Sequence, residues 1–470
     1  MDACHGAVPR LRGCFFSVFP SLCGVLCATA TLCLGVSASA QVAAGGAQPR
    51  PLLTQAFDVA SSCEVVATLR AGCAGCSWGV EGREAAALTI SVDGHYSQHL
   101  MVARGEQPAD YRVSLGSVDP GHHGLTIEFD RNLSASQIGS VSVSLADIAE
   151  TFEKSPAPRR IETREFTALS RAPVLHARAN TIGRFTDLPI LMWYEVVPTA
   201  RGRQFRYSVI FTNEDGGTAT DRLMATWGRT TDIEFVYGVE LDDNNTVIGE
   251  EYQARGHEVA KFAGRHEGRH PLLWVATDNN MVSDEGTTAV RYRLAPEFFD
   301  LTKKSREVVM DAHPWTYTLA AAELAREGKI AEDATPGSGR IPDQRRFVFV
   351  EACTELTDAA ALVFSIRARN ANGVETWYDS DRGIPEFRII RTGCFRAGVP
   401  LPPRAGPPEA IRFRAMGRPS KSGDGAPAVA VTRINKIFTL ATDYTPGPPL
   451  FAWIGWLELP ASGEWRELAF

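Results

Sequence analysis

Two acidic residues, two positions apart at the start of an apolar run, are the first residues whose types and spacing could do chemistry. They are Asp232 and Glu234 in "GRTTDIEFVYGVELDDNN", which runs from Gly228 to Asn245. Residues two apart share one face of a β-strand, so both carboxylates should point the same way. Like charges that close repel each other unless a cation neutralises them, so the pair could hold a divalent metal ion.

Histidines further along the chain could complete such a site. His257, His266 and His270 offer nitrogen ligands, which suit Zn²⁺, whereas the carboxylates suit Ca²⁺, Mg²⁺ or Mn²⁺. The predicted metal ligands are Asp232, Glu234, His257 and His270. In the alternative interpretation, the two acids lie on a solvated strand face and pair with Arg229 or Arg255.

A second set of residues, nearer the N-terminus, could bind a sugar. Sugar sites use aromatic faces against C–H surfaces, together with a few directed polar groups. The predicted ligand-binding residues are Tyr96, His99, Tyr111 and His122, with Trp78 also available. In the alternative interpretation, the two tyrosines pack within strands and His122 lies on a turn.

No catalytic residue is predicted. The stretch "GCSWG", from Gly75 to Gly79, matches the G-x-S-x-G pattern of hydrolases. That pattern needs a strand, a sharp turn and a helix, and Ser77 lies instead in a loop of a β-rich block. Whether the protein is an enzyme therefore stays open.

The elements that must position these residues are mostly strands. Short alternating runs such as "ALTISVD", "HYSQHLMVA" and "LTIEFD" are separated by turn residues, which is typical of an antiparallel, jelly-roll-like sandwich. Later runs such as "QFRYSVIF" and "AALVFSIRARN" predict further β-rich blocks. Only "PWTYTLAAAELAREGKI", from Pro314 to Ile330, has a helical pattern.

The predicted fold class is therefore mostly β, an N-terminal sandwich followed by a larger β-rich domain with one short helical segment. The predicted divisions are a signal peptide (1–40), a sandwich that could be a carbohydrate-binding module (41–150), a linker (151–180), a β-rich middle block (181–305), a helical and loop connection (306–345) and a C-terminal β-rich block (346–470). The last block is either separate or part of the same domain as 181–305.

The stretches "SVDGHYSQHLMVARG" and "DYRVSLGSVDPGHHGLTIEF" resemble secreted carbohydrate-binding modules of the galactose-binding type. The shared features are a "VDG" hairpin, then "Y-x-V-x-LG", then a glycine- and histidine-bearing turn before "L-x-I". This resemblance implies a β-sandwich that binds sugars.

The middle block resembles a group of β-sandwich proteins that includes necrosis- and ethylene-inducing cytolysins and a vacuolar-sorting family of plants and fungi. The counterparts of the shared pattern are Asp232-Ile233-Glu234, Tyr252, His257 and His270–Ala276. Ile233 stands where the group has an aromatic residue, and Thr231 stands where the cytolysins have a histidine. The resemblance implies that Asp232 and Glu234 help to hold a divalent metal.

The N-terminus predicts export. An uncharged apolar run from Phe15 to Val36 leads to "VSASAQ", whose small residues suit cleavage after Ala40. An uncleaved membrane anchor is the alternative. We predict a secreted or periplasmic protein with no integral membrane segment after processing. The net charge of −7 excludes a basic nucleic-acid-binding surface as the main function.

Five cysteines follow the predicted cleavage site, and an exported chain can form disulfides. We predict a Cys353–Cys394 bond and a second bond from Cys63 to Cys73 or Cys76. The "CAGC" motif, as a redox pair or half of a zinc site, is the less favoured interpretation.

Two functions are consistent with the sequence. The first is an exported protein that binds glycans or another extracellular surface partner, without chemistry. The alternative is a metal-dependent secreted enzyme or cytolysin-like protein that uses Asp232, Glu234 and His257. If the side chains of the acid pair and the histidines converge on one cleft, the second function is favoured. If Asp232 and Glu234 face solvent on an open strand, the second function is excluded.

Overall fold

The computed structural model describes residues 50–153, 164–214, 216–418 and 428–470. The predicted signal peptide and cleavage site lie outside the described residues, so export stays a prediction. The described residues belong to one compact unit. None of the described helices is both long and apolar enough to cross a membrane.

Seven strands form the N-terminal sandwich. They are β1 (Leu53–Val59), β2 (Cys63–Cys73), β3 (Ala86–Val92), β4 (His95–Val102), β5 (Ala109–Val118), β6 (Gly121–Asp130) and β7 (Val141–Thr151). One antiparallel sheet has the order β1-β6-β3-β4 and the other β5-β2-β7. Alternate apolar residues such as Val65, Ala67 and Leu69 of β2 point into the core between the sheets, where they meet Leu88 and Ile90 of β3.

The middle block contains two larger sheets. Its elements are α1 (Arg164–Ser170), β8 (Val174–His176), β9 (Pro189–Thr199), β10 (Gly202–Phe211), α2 (Thr220–Trp227), β11 (Asp232–Leu241), β12 (Val247–Ala254), β13 (Glu258–Lys261), β14 (His266–Glu267), β15 (His270–Val275), β16 (Val282–Ser283), β17 (Arg291–Tyr292) and β18 (Glu297–Phe298). One sheet runs β13-β12-β11-β10-β9-β18, and the other runs β14-β15-β8-β17, with β16 beside β15.

Two helices lead into the C-terminal block, which is a second sandwich. The elements are α3 (Val308–Ala312), α4 (Trp315–Arg326), β19 (Phe347–Leu356), β20 (Ala360–Arg369), β21 (Glu375–Asp379), β22 (Gly393–Pro400), β23 (Pro408–Gly417), β24 (Val429–Phe438), β25 (Phe451–Leu459) and β26 (Arg466–Ala469). The two sheets have the orders β22-β19-β24-β25 and β21-β20-β23-β26.

The mostly β fold class is confirmed. Helix α4 lies within the predicted helical segment, but α1, α2 and α3 are additional helices of five to eight residues. Helices this short span about two turns or fewer and leave little periodic signal in a sequence. Helix α1 and strand β8 lie within the range predicted as a linker.

The disulfides follow from the strand positions. Cys353 and Cys394 are bonded, as predicted, and occupy paired positions on β19 and β22. The predicted pairing of Cys63 is wrong, because Cys73 is bonded to Cys76 and Cys63 is free and buried. Cys63 begins β2 and Cys73 ends it, and an extended strand of that length separates its ends by roughly 30 Å.

Strand β11 packs into two different cores and is covered on both faces. Its Ile233 packs into a core shared with Phe347 and Phe349 of the C-terminal block. Its Tyr237 and Val239 pack into the core between the two sheets of the middle block. A strand covered on both faces has no solvated side, so charged residues on it must find partners inside the protein.

Candidate functional site

The carboxylates of Asp232 and Glu234 are buried at the start of β11, with only 2% and 7% of each residue exposed. They lie on the opposite strand face from Ile233, as the alternation predicts. The interpretation of a solvated strand face is therefore wrong. The two carboxylates are buried because neighbouring elements cover β11 on both faces.

The local chain path explains the position of the pair. Helix α2 ends at Gly228, whose φ of 60° is left-handed and whose N–H donates to the carbonyl of Met224. The chain then turns through Arg229 and enters β11 at Asp232. A helix end joined so closely to a strand directs the first strand residues into the interior.

Few positive charges face the two carboxylates. A guanidinium nitrogen of Arg229 lies 3.7 Å from Asp232 Oδ1, and its Nε lies 3.2 Å from Glu307 Oε1. The amide of Asn280 donates to Asp232 Oδ2 at 3.0 Å, and the amide of Gln253 donates to Glu234. The guanidinium of Arg229 is thus shared between carboxylates, and the hydrogen bonds from Asn280 and Gln253 come from neutral amides.

Burial changes the acidity of the pair. It raises the pKa of Asp232 well above its usual range, and the nearby Glu234 raises it further. Burial also raises the pKa of Glu234 to about 7, against the opposing effect of Arg229. Burial raises the pKa of the neighbouring Glu214 as well. Near neutral pH, the group therefore tends to retain protons unless a cation is present.

The two predicted histidine ligands lie in different places. His257 is at the rim, with Nδ1 4.0 Å from Glu234 Oε2 and most of the side chain exposed. His270 contacts other groups, with Nε2 3.3 Å from Glu64 Oε2 and Nδ1 2.9 Å from the carbonyl oxygen of Ala172. The structure thus brings Asp232, Glu234 and His257 together without His270.

The donor set around the pair is rich in oxygen. In the part of the chain that the structure describes, no group of three or more His, Cys, Asp or Glu residues is arranged to hold a metal ion. The oxygen Oδ1 of Asn280 is nevertheless buried and has no hydrogen-bond partner among the described residues. The amide nitrogen of Asn280, not this oxygen, faces Asp232. Two carboxylates suit a hard cation better than Zn²⁺. The sequence analysis missed Asn280, because nothing distinguishes it from other turn asparagines.

A cleft of about 250 Å³ lies between the N-terminal sandwich and the middle block. We call it the interdomain cleft. It is lined from the sandwich side by β4 and β5, and from the other side by β9, the segment 292–297 and the start of α4. Clefts between domains are common ligand sites, because two surfaces can contribute different chemistry.

Aromatic rings form part of the cleft wall. The guanidinium of Arg104 lies 4.7 Å from the ring centroid of Trp315 and 5.8 Å from that of Tyr111. The backbone N–H of Arg104 donates to the Tyr111 hydroxyl at 3.0 Å. Burial raises the pKa of Tyr111 to about 12, so its hydroxyl is neutral and both donates and accepts hydrogen bonds.

Charged groups lie beside these rings. Glu297 accepts a hydrogen bond from His313 at 3.0 Å and lies 3.5 Å from Arg112. The hydrogen bond from His313 lowers the pKa of Glu297, which is therefore ionised at neutral pH. Asp110 pairs with Arg70 at 2.9 Å. The sequence analysis did not identify Glu297 or His313, since they reach the cleft only through the docking of two blocks.

Two of the four predicted sugar-binding residues line the cleft, namely His99 and Tyr111. Tyr96 lies behind His99, with its hydroxyl 2.6 Å from His99 Nδ1. His122 is exposed elsewhere, with Nδ1 2.9 Å from Asp58. Trp78 is buried and donates to Glu323 of α4.

A second chamber of about 390 Å³ adjoins the interdomain cleft. Arg112 and Glu297 line both spaces, and Arg164, Tyr194 and Phe298 line the second one alone.

No protein family and no curated protein matches this chain. Two solved structures show similarity. "NLPPya in complex with mannosamine" is 11% identical, with 37% of this chain and 82% of that chain covered and a TM-score of 0.22. The M60 catalytic domain with the CBM51-1 and CBM51-2 domains of Clostridium perfringens ZmpB is 8% identical, with 79% and 32% covered and a TM-score of 0.13. At these TM-scores we base no functional inference on either similarity.

Proposed function

We propose that this protein binds glycans in the interdomain cleft. The observation that supports the proposal is the combination of aromatic rings and directed charged groups in one cleft. A sugar ring offers its C–H surface to an aromatic face and its hydroxyls to polar groups. Trp315 and Tyr111 provide the first kind of contact, and Glu297 provides the second.

We propose further that the protein acts outside the cytoplasm. The two disulfides support this part of the proposal, because such bonds persist in oxidising compartments. Glycans on cell surfaces and in extracellular matrices would then be accessible to the cleft.

A binding comparison between two tryptophan variants tests the proposal. The wild-type protein is screened on a glycan array, and each glycan that binds is titrated by calorimetry. Trp315→Ala should lower the affinity at least about tenfold, because a stacked aromatic ring contributes roughly 1 kcal/mol or more beyond its buried area. Trp456→Ala is the matched control, since Trp456 is 56% exposed on β25 and does not line the cleft.

Two outcomes would contradict the proposal. One is a wild-type protein that binds no glycan on the array. The other is an equal loss of affinity in Trp315→Ala and Trp456→Ala, which would place the binding surface elsewhere.

We propose as an alternative function that Asp232 and Glu234 bind a divalent cation, with His257 at the rim. The observation that favours it is the burial of two neighbouring carboxylates on one face of β11. A bound cation would neutralise the pair and would supply Lewis-acid chemistry at this position. The oxygen-rich donors favour Ca²⁺, Mg²⁺ or Mn²⁺.

Chelation tests the cation proposal. The thermal midpoint should fall in chelator and recover with one particular divalent ion, because an ion that binds only the folded state stabilises it by mass action. Asp232→Asn should remove most of this response. His257→Ala should weaken it slightly for Ca²⁺ and strongly for Zn²⁺.

The control for the cation experiment is Glu240→Gln, on the same strand, where the carboxylate pairs with Arg201 instead. This variant should keep the full response to chelator. A wild-type midpoint that does not move in chelator would overturn the cation proposal.

A further inference from the structure

Arg104 differs from most charged residues of the interdomain cleft in its partners. Its guanidinium stacks on Trp315 and donates to the backbone carbonyl of Asp110 at 3.0 Å. Among the described residues, no carboxylate forms an ion pair with it. A guanidinium that lies over a ring and has no carboxylate partner keeps donors available for a planar anion.

The two carboxylates of the cleft do not cancel this charge. Asp110 is paired with Arg70, and Glu297 is paired with Arg112. The guanidinium of Arg104 is therefore an excess positive charge in the cleft.

The second chamber is balanced in charge. The guanidinium of Arg164 lies 3.7 Å from the ring centroid of Phe298. The carboxylate of Glu165 lines the same chamber, and Arg112 and Glu297 lie between it and the first chamber. The excess positive charge is therefore in the first chamber, at Arg104.

We infer that the ligand of the interdomain cleft is an acidic oligosaccharide, one of whose carboxylate or sulfate groups binds Arg104. The inference rests on the proposed glycan-binding function and specifies its ligand. A bidentate hydrogen-bonded ion pair between guanidinium and carboxylate is stronger and more directional than a hydrogen bond to a neutral hydroxyl. Hydroxyls of the same oligosaccharide would donate hydrogen bonds to Glu297.

Matched pairs of oligosaccharides test the inference in the full chain. The carboxylate pair is trigalacturonate and its methyl ester, and the sulfate pair is a sulfated carrageenan oligosaccharide and its desulfated form. The wild-type protein should bind the acidic member of at least one pair about tenfold more tightly or better, because one charge-assisted pair contributes about 1.4 kcal/mol at that ratio. The pair that shows the preference identifies the anionic group.

Arginine variants locate the charge. Arg104→Gln should remove the preference, so that the acidic and neutral members of each pair bind equally. Arg164→Gln should keep the preference, because the carboxylate of Glu165 lies beside Arg164 in the second chamber. Arg201→Gln is the control, because Arg201 lies outside both chambers.

The outcomes separate the two proposals. Equal binding of acidic and neutral members by the wild type would overturn the acidic-ligand inference and leave glycan binding in place. An acidic preference that survives Arg104→Gln would overturn the assignment of the anionic group to Arg104 in the interdomain cleft. Absence of binding to every oligosaccharide, including those of the array, would overturn both proposals.

Discussion

At the residue scale, the buried pair Asp232 and Glu234 is the least expected feature of the protein. Moving a carboxylate out of water favours its protonated form, and a second carboxylate nearby adds to this effect. Arg229 compensates only in part, because it also lies against Glu307. Buried carboxylates with raised pKa values concentrate at functional sites, because the raised pKa serves chemistry or ligand binding there.

The stability of the cation-free protein should therefore depend on pH through Glu234. Its pKa rises from 4.5 to about 7 on folding, so the folded state binds more protons than the unfolded chain between these values. The free energy of unfolding should fall as the pH rises through this window, by roughly 1–3 kcal/mol in total. Urea denaturation in chelator at about pH 5 and about pH 8 measures the loss, and Glu234→Gln should reduce it.

A second buried acid titrates in the same window and supplies the control. Burial raises the pKa of Glu323 to about 7, although Arg326 opposes the shift. Glu323→Gln should remove its own share of the pH dependence, and the double variant should remove both shares. A Glu234→Gln protein with the full wild-type pH dependence would contradict the prediction.

The sequence predicted part of this group and missed the rest for a physical reason. The alternation of Asp232 and Glu234 about Ile233 is local, so their common strand face could be predicted. Asn280 and Glu307 approach from loops distant in sequence, and their contribution depends on how β11 is covered. Whether two acids on one strand are buried depends on tertiary packing, so a local sequence pattern cannot predict it.

At the element scale, the junction between α2 and β11 fixes the site. Gly228 adopts a left-handed conformation where the helix ends. A Cβ atom at this position would lie 2.8 Å from Cγ of Arg396 and 3.2 Å from the backbone nitrogen of Ala397 on β22. The helix end thus packs directly against the C-terminal block, and only glycine fits without a shift of the neighbouring strand.

Gly228→Ala should destabilise the protein by about 2–4 kcal/mol, which combines left-handed strain with overpacking. Gly183→Ala is the matched control, since Gly183 has a φ of +75° and no atom lies within 4 Å of the position that its Cβ would occupy. That variant should lose only the contribution of the strain, about 1 kcal/mol. Urea unfolding midpoints measure both variants, and equal losses would show that the contact with β22 has no effect.

Strands were more predictable than helices or connections. Runs such as β10 and β19 have enough apolar and β-branched residues to indicate strands on their own. Helix α2 has eight residues and follows a polar turn, so its pattern is too short to distinguish. Two-residue strands such as β17 and β18 exist only because neighbouring strands pair with them.

At the scale of the whole molecule, the interdomain cleft exists because the sandwich docks on the middle block. The N–H of Arg293 donates to Gln98 Oε1 at 2.9 Å, and the N–H of Ser114 donates to the carbonyl of Arg293 at 2.9 Å. Glu64 and His270 form a buried pair across the same contact. The sequence indicated the separate β-rich blocks, but docking of this kind depends on surfaces that form only after each block folds.

Because the sandwich and the middle block are docked, the chain should unfold cooperatively. Glycan affinity should also depend on this docking. Gln98 is buried, and its amide also donates to the carbonyl of Ser114 at 2.7 Å, so Gln98→Ala removes hydrogen bonds on both sides of the contact. The wild type should unfold in one calorimetric transition, and Gln98→Ala should lose about 2–4 kcal/mol, since buried groups remain unsatisfied. The variant should also broaden or split the transition and weaken glycan binding, because the two walls of the cleft then separate more readily.

The control is Ser134→Ala. It removes the hydrogen bond that Ser134 Oγ accepts from the N–H of Ala87 within the sandwich, and it should lower stability without changing affinity. Two separated transitions in the wild type, with glycan affinity intact in Gln98→Ala, would mean that the cleft does not depend on this contact.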